Sequence, residues 1–218
     1  MSEVPPYPSV QPVVLAGGGS TRFGDGNKAL AHVGGQSLIE RVLVAAVEVT
    51  DTAPIIAVKT DDQREDIERA LANRLSVPPV FVRDDPAFNG PLAGVFGACP
   101  RVDRQWMLLL GCDMPLLDKE VMAWLIERTE TSSANAIIPE TSGGIEPLHA
   151  LYRPAAVASV RDNVGPDDGF HALLDHVSNV EVIPYVESPS ALARSARNIN
   201  TVAELEALRD LLDDASRR

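Results

Sequence analysis

Lysine is scarce in this chain. Only Lys28, Lys59 and Lys119 occur among 218 residues, arginine supplies the other side-chain cations, and the formal net charge is −12. There is no basic run, and so acidic a chain repels duplex and single strand alike, so no nucleic-acid partner is expected. Apolar runs are short too. None approaches the roughly 20 residues that cross a bilayer, which leaves no expectation of a membrane partner. The opening "MSEVPPYPSV" is proline-rich and acidic where a secretory signal is basic and apolar, and residues 1–10 read as a flexible tail. Cys99 and Cys112 are the only cysteines. They make neither a disulfide framework nor a zinc spacing, and they read as small buried residues of a reduced, cytoplasmic protein.

Hydrolase signatures are missing as well. His171 and His176 stand five apart, off a single helix face, and there is no His-Glu-x-x-His and no Gly-x-Ser-x-Gly. His149, inside the apolar "LHALY", reads as a satisfied interior or edge histidine.

What the chain does contain is alternation. "PVVLAGG", "PIIAVK", "PPVFVRD" and "WMLLLGCDMP", the last stopped by Pro115, read as strands. Between and after them, "SLIERVLVAAVEV", "DDQREDIERALANRL" and "DKEVMAWLIERT" read as helices, and "GPLAGVFGAC" as a loop running into a helix. Glu65 and Arg69 form an i,i+4 pair in the second of these. "NAIIPE", "LHALYR" and "VEVIPYV" are further strands, with a hairpin-like turn at Gly143-Gly144. The last helix opens with a capping box, Thr201 with Glu204 three residues on. This order predicts an α/β fold in three layers: a largely parallel, Rossmann-like sheet covered by helices on both faces. The length suits one domain, expected over residues 11–213. Ligands in such folds bind beyond the carboxyl ends of the strands. Three polar clusters fall there, at residues 16–28, 84–94 and 111–114, and they should meet along one edge.

The first cluster is "VVLAGGGSTRFGDGNKAL", residues 13–30. Gly17, Gly18 and Gly19 lack β-carbons, so backbone N–H groups can turn toward a phosphate; Ser20 and Thr21 add hydroxyl donors. The dinucleotide pattern fails because Arg22 takes the place of its third glycine, and the Walker pattern fails around Lys28. Arg22 offers a planar fork for phosphate oxygens and Lys28 a mobile point charge. Asp113, just past an apolar strand, suits either a metal ion or a turn before Pro115.

Together these stretches resemble the signature of nucleotidyltransferases with a mononucleotide-binding α/β fold, and most closely the molybdenum cofactor guanylyltransferases. The narrower match rests on "GPLAGV" at 90–95, "GCDMPLL" at 111–117, "EPLHALY" at 146–152 and "NINTVAEL" at 198–205. The glycine motif alone is shared with sugar-nucleotide and cytidylyl transferases. The resemblance implies transfer of GMP from GTP to the terminal phosphate of a molybdopterin-type acceptor, with release of pyrophosphate. It implies Arg22, Lys28 and Asp113 as catalytic residues, with Mg²⁺ on Asp113. GTP would bind to Leu15, Ala16, Gly17, Gly18, Gly19, Ser20, Lys28, Asp84, Gly90, Pro91, Leu92 and Asp113, and the acceptor would lie near residues 146–153 and 165–171. Transient contacts with other molybdenum cofactor proteins are a further implication. Guanylyl transfer to adenosylcobinamide phosphate, cytidylyl transfer to molybdopterin and a non-catalytic nucleotide-binding role remain as alternatives. The chain departs from the family in having Asn27 where an aspartate precedes the lysine, and "AVKTDD" where an asparagine follows the second strand.

Overall fold

The computed structural model describes residues 7, 9–18 and 27–216, with side chains described through residue 212. From β1 (Val10–Leu15) the chain passes through a small hairpin, β2 (His32–Val33) and β3 (Gln36–Ser37), into α1 (Leu38–Thr50). It then alternates: β4 (Ile55–Val58), α2 (Asp61–Ala70), β5 (Val80–Arg83), α3 (Gly90–Ala98), β6 (Trp106–Gly111) and α4 (Lys119–Glu127). The later part comprises β7 (Ala136–Thr141), β8 (Gly144–Ile145), β9 (His149–Tyr152), α5 (Pro154–Ser159), α6 (Phe170–His176), β10 (Val180–Ile183), α7 (Leu192–Ser195) and α8 (Val202–Ser216).

Among the described residues the main sheet runs β10-β7-β9-β6-β1-β4-β5, with β8 on β7. β1 is parallel to β4 and β6, β4 to β5, and β7 to β10; β9 is antiparallel to both its neighbours. This is the expected three-layer α/β fold. One face of the sheet packs Val14, Ile56, Leu108 and Leu110 against Ile39, Val42 and Leu43 of α1 and Val121 and Leu125 of α4. The opposite face packs Val13, Ile55, Met107 and Leu109 against Leu92, Val95 and Phe96 of α3 and Leu173 of α6. Covering both faces is why these strands are apolar throughout instead of alternating. Each fully buried Leu, Ile or Val contributes about 1.5–3 kcal/mol relative to exposure.

Caps and turns set the remaining elements. The predicted box on α8 is present: Glu204 N–H donates to Thr201 Oγ1 (3.2 Å), and Glu204 Oε2 accepts from the N–H groups of Thr201 (2.8 Å) and Asn200 (2.6 Å). A second box, Ser37 with Glu40, starts α1. Gly34 and Gly35 adopt φ of +57° and +81°, the doubly left-handed turn that a two-residue hairpin requires. That hairpin packs Val33 with Leu116, Ile199, Leu205 and Leu208, and so ties α8 to the body.

Some expectations change. Arg69 pairs with Asp66 at 2.9 Å, one helical step from the expected Glu65. β6 ends at Gly111, ahead of Pro115, because the chain turns there and Cys112 N–H donates to Leu15 O (3.2 Å). Tyr7 is already fastened, its N–H to Val49 O (3.0 Å) and its hydroxyl to Glu127 (3.0 Å), while residues 1–6 and 8 of the expected tail lie outside the described residues. His149 is interior but not satisfied. It is fully buried, and neither ring nitrogen has a hydrogen-bond partner among the described residues. Among the described residues no helix is long and apolar enough to cross a membrane.

Two features of this core are testable. A Cβ on Gly97 would lie 2.2 Å from Arg83 O, so α3 and β5 touch backbone to backbone. Gly97→Ala should therefore cost about 1–3 kcal/mol, the usual penalty of overpacking; an unchanged urea midpoint would show that the two elements have room to part. Burial lowers the His149 pKa to about 4, against an opposing pull from Asp118. The unfolded chain, with an ordinary histidine near 6.5, then binds more protons between about pH 6.5 and 4, so stability falls as pH drops through that window. His149→Leu should flatten this acid loss, and parallel urea titrations at pH 7 and pH 5 measure it. An identical pH 7-to-5 loss in both proteins would remove His149 as its source.

Candidate active site

The in-phase register of the central strands places Leu15 opposite Ala57 and Gly111. All three strand ends therefore reach one edge of the sheet. A cleft of about 300 Å³ opens there, lined by Leu15 to Gly18, Asn27 to Ala29, Asp84, Gly90, Pro91, Gly94, Gly111 to Asp113, Leu148 and Asn200. The three polar clusters expected to converge do so.

The glycine wall is shaped by contact. A Cβ on Gly17 would lie 2.1 Å from Asp84 Oδ2, so the loop after β1 and the carboxylate after β5 fit only because that atom is missing. At Gly94 a Cβ would lie 2.9 Å from Leu15 Cδ2 and 3.2 Å from Ala57 Cβ. Gly18 has nothing within 4 Å of such a position and faces open space. Ala16 N–H donates to Ala57 O (2.9 Å), and the Gln63 side-chain amide donates to Ala16 O. Gln63 also accepts from Lys59 N–H (2.8 Å), so the first turn of α2 anchors the glycine segment.

Asp84 and Asp85 diverge. Asp84 lines the cleft, and its Oδ1 is buried with no hydrogen-bond partner among the described residues. Burial raises its pKa, with Lys59 and Arg83 pulling the other way. Asp85 turns outward to Arg161.

Lys28 sits on a short 3₁₀ turn, Lys28–Leu30. Asn27 caps that turn, its side chain accepting from Ala29 N–H (3.1 Å). Asparagine and aspartate are comparable N-caps, so Asn27 can perform this local role where the family has aspartate. Lys28 Nζ donates to Asp113 Oδ2 at 2.6 Å and to Asn200 Oδ1 at 3.0 Å. Asp113 is held from behind: its carbonyl accepts from Ile199 N–H (2.9 Å). Asp113 Oδ1 and Asn198 Oδ1 lie 2.6 and 3.7 Å from the place a Cβ on Gly111 would take, and Asn198 Oδ1 is buried without a partner among the described residues.

These oxygens fit a hard divalent cation. Among the described residues no three His, Cys, Asp or Glu side chains gather as a complete metal cage. One carboxylate with a nearby amide oxygen is the sparse ligation Mg²⁺ takes when phosphates and waters fill the remaining positions. Cys112 packs against the core, as expected, and also lines the cleft. Burial and the adjacent Asp113 push its thiol up to about 12, which keeps it a protonated, poor nucleophile at neutral pH.

Of the residues expected at the site, Leu15, Ala16, Gly17, Gly18, Lys28, Asp84, Gly90, Pro91 and Asp113 come together. Leu92 does not line the cleft; its side chain is fully buried in the core beneath α3. Gly19, Ser20 and Arg22 lie outside the described residues. Sequence reasoning missed Gln63, Asn198 and Asn200 and reached Leu148 only within the stretch 146–153 expected near the acceptor. Leu148, Asn198 and Asn200 fall within "EPLHALY" and "NINTVAEL", whose resemblance to the family was the available signal.

Known proteins match this arrangement. The family model described as MobA-like NTP transferase domain matches residues 12–180. A protein of Natronomonas pharaonis named "Probable molybdenum cofactor guanylyltransferase" is 32% identical over 205 residues, covering 92% of this chain and 96% of its own. One of the same name from Bacillus anthracis is 32% identical over 142 residues, covering 64% and 66%. The crystal structure of molybdopterin-guanine dinucleotide biosynthesis protein A from Archaeoglobus fulgidus shares the fold, with a TM-score of 0.73 at 23% identity over 94% of this chain and 99% of that one. With its glycine wall, lysine and aspartate on the same sheet edge, this chain belongs to the MobA-like NTP transferase family and is a nucleotidyltransferase.

Proposed function

We propose that this enzyme transfers GMP from GTP to the terminal phosphate of a molybdopterin-type acceptor. The relatives' names support that substrate pair. The observation that carries the reading is the 2.6 Å contact of Lys28 with Asp113, inside a cleft walled by the bare backbone of Ala16–Gly18.

An acceptor phosphate oxygen attacks the α-phosphorus of GTP. A new P–O bond forms as the bond from the α-phosphorus to the bridging oxygen breaks, and pyrophosphate leaves with that oxygen. The nucleophile is already an anion at neutral pH, so the protein's task is positioning and charge compensation. In this reading the amides of residues 15–20 cradle the phosphates. Lys28, held beside Asn200, offsets charge growing on the leaving pyrophosphate, with Arg22 as its partner in that task. Asp84, Gly90 and Pro91 serve the nucleoside end. Asp113 and Asn198 would hold Mg²⁺, which when bound would neutralise phosphate charge. The acceptor enters beside Leu148. A chain of net charge −12 needs such concentrated cations to admit a polyanion.

Lys28→Ala and Asp113→Ala should each lower turnover at least tenfold, about 1.4 kcal/mol of transition-state stabilisation, with urea midpoints near that of the unmodified protein. Pyrophosphate release at normal rates in either variant would remove that residue from the mechanism. Base and acceptor are tested by offering GTP, CTP and ATP with a molybdopterin-type phosphate and with adenosylcobinamide phosphate. Release with GTP and the pterin acceptor is expected. Preference for CTP or for the corrinoid would reassign the substrate, and no release with any pair would overturn the reading.

A further inference from the structure

The nucleoside side of the cleft is a lip, residues 84–91, running from the end of β5 into α3. From within, it is folded by Asp85 N–H donating to Ala93 O (2.8 Å), Ala87 N–H to Asp85 Oδ1 (2.9 Å) and Phe88 N–H to Asp85 O (3.2 Å). From outside it is gripped by the segment 161–168, which does not line the cleft. Arg161 donates from Nε and Nη2 to Asp85 Oδ2 at 2.9 and 2.8 Å. Its guanidinium lies 5.1 Å over the Phe88 ring, which in turn meets Phe96 at 4.5 Å. Asn89 N–H donates to Pro166 O (2.7 Å) and its side-chain amide to Asp167 (2.8 Å). The segment is itself closed by Gly165 N–H donating to Asp168 (2.7 Å).

Two details give this grip a purpose. Asparagine at an N-cap ordinarily accepts from its own helix. Here Asn89 is the N-cap of α3, yet its side chain makes no cap hydrogen bond and reaches Asp167 instead. Next to it Gly90, which lines the cleft, takes φ +64°, in the left-handed region that favours glycine. The Asp85 carboxylate is mostly shielded, with 16% side-chain exposure, so its bonds to Arg161 are less screened than those of a surface pair. Burial pushes its pKa up, but Ala87 N–H and Arg161 outweigh that and hold it below the ordinary range.

We propose that Arg161 is a positioning residue for nucleotide binding: through Asp85, and with Asn89 drawn to the 165–168 segment, it fixes the lip where the nucleoside end of a triphosphate docks. This rests on the reading that the cleft takes GTP. Arg161 touches no reacting atom, so its effect falls on affinity rather than on the chemical step.

The test uses the full chain with Arg161→Ala, Asp85→Asn and Arg161→Lys. In the ligand-free protein, hydrogen exchange over residues 85–93 should quicken about tenfold in Arg161→Ala. By calorimetry with Mg·GTP, affinity should fall about tenfold in Arg161→Ala and in Asp85→Asn. KM for GTP should rise in step, while kcat at saturation stays within about twofold. Arg161→Lys, which keeps one donor to Asp85, should recover part of the affinity. Combining Arg161→Ala with Asp85→Asn should add little, because both remove the same contact. Unmodified protein that binds GTP alongside variants of equal affinity would overturn the inference alone, as would faster exchange with unchanged KM or a fall confined to kcat. Should Arg161→Ala fail to fold, Asp85→Asn and Arg161→Lys decide by the same measurements. Unmodified protein that binds no GTP would overturn the functional reading, and this inference with it.

Discussion

The contact of Lys28 with Asp113 organises the cleft, and it joins residues 85 positions apart. It exists because β1 and β6 are parallel neighbours in register, so that the segments leaving Leu15 and Gly111 emerge at the same edge. Asn200 completes the contact from a third direction, carried there by α8, which the β2–β3 hairpin holds through Val33, Leu205 and Leu208. The ion pair is mostly shielded, with 16% and 20% side-chain exposure. Desolvating two charges offsets much of their attraction, so its value to the fold is modest. Its consequence is local: a cation beside a carboxylate, where phosphate charge would otherwise be repelled by an acidic protein.

Two buried oxygen acceptors, one in the cleft and one beside it, lack partners among the described residues. They are Asp84 Oδ1 beside the glycine wall and Asn198 Oδ1 beside Asp113. Such groups are costly to bury, and native proteins keep few of them, often where a ligand or ion supplies the missing partner. Asp84 stands on the side of Gly17 and Asn198 on the side of Asp113. The placement of these two groups agrees with a substrate that brings hydroxyls to one end and a cation to the other.

Close packing determines how accurately these groups are held. α3 lies on the sheet with Gly94 and Gly97 at its contact points, and that approach sets the position of its first turn, Gly90 and Pro91. The lip before it is held by backbone bonds from Asp85, Phe88 and Asn89 together with the side chains of Asp85 and Arg161. A rigid helix and a braced loop thus make one wall, while the Gln63 amide on Ala16 makes the other.

Much of this was written locally. The alternation of apolar strands and amphipathic helices specified the three-layer fold, because both faces of a parallel sheet must be covered. The Thr201–Glu204 box and the glycines after β1 were legible because caps and tight backbone depend on a few adjacent residues. Lys28 and Asp113 stood out by type and position at strand ends. Tertiary structure decided the rest. Nothing local distinguished Asp84, facing the cleft, from Asp85, facing Arg161; the difference is which neighbour each meets across the sheet edge. Asn200, Asn198 and Gln63 entered the site through contacts with distant segments, Leu92 left it for the core, and His149 proved unpartnered. Side-chain partnership across long chain separations depends on register and packing, which no short stretch of sequence contains.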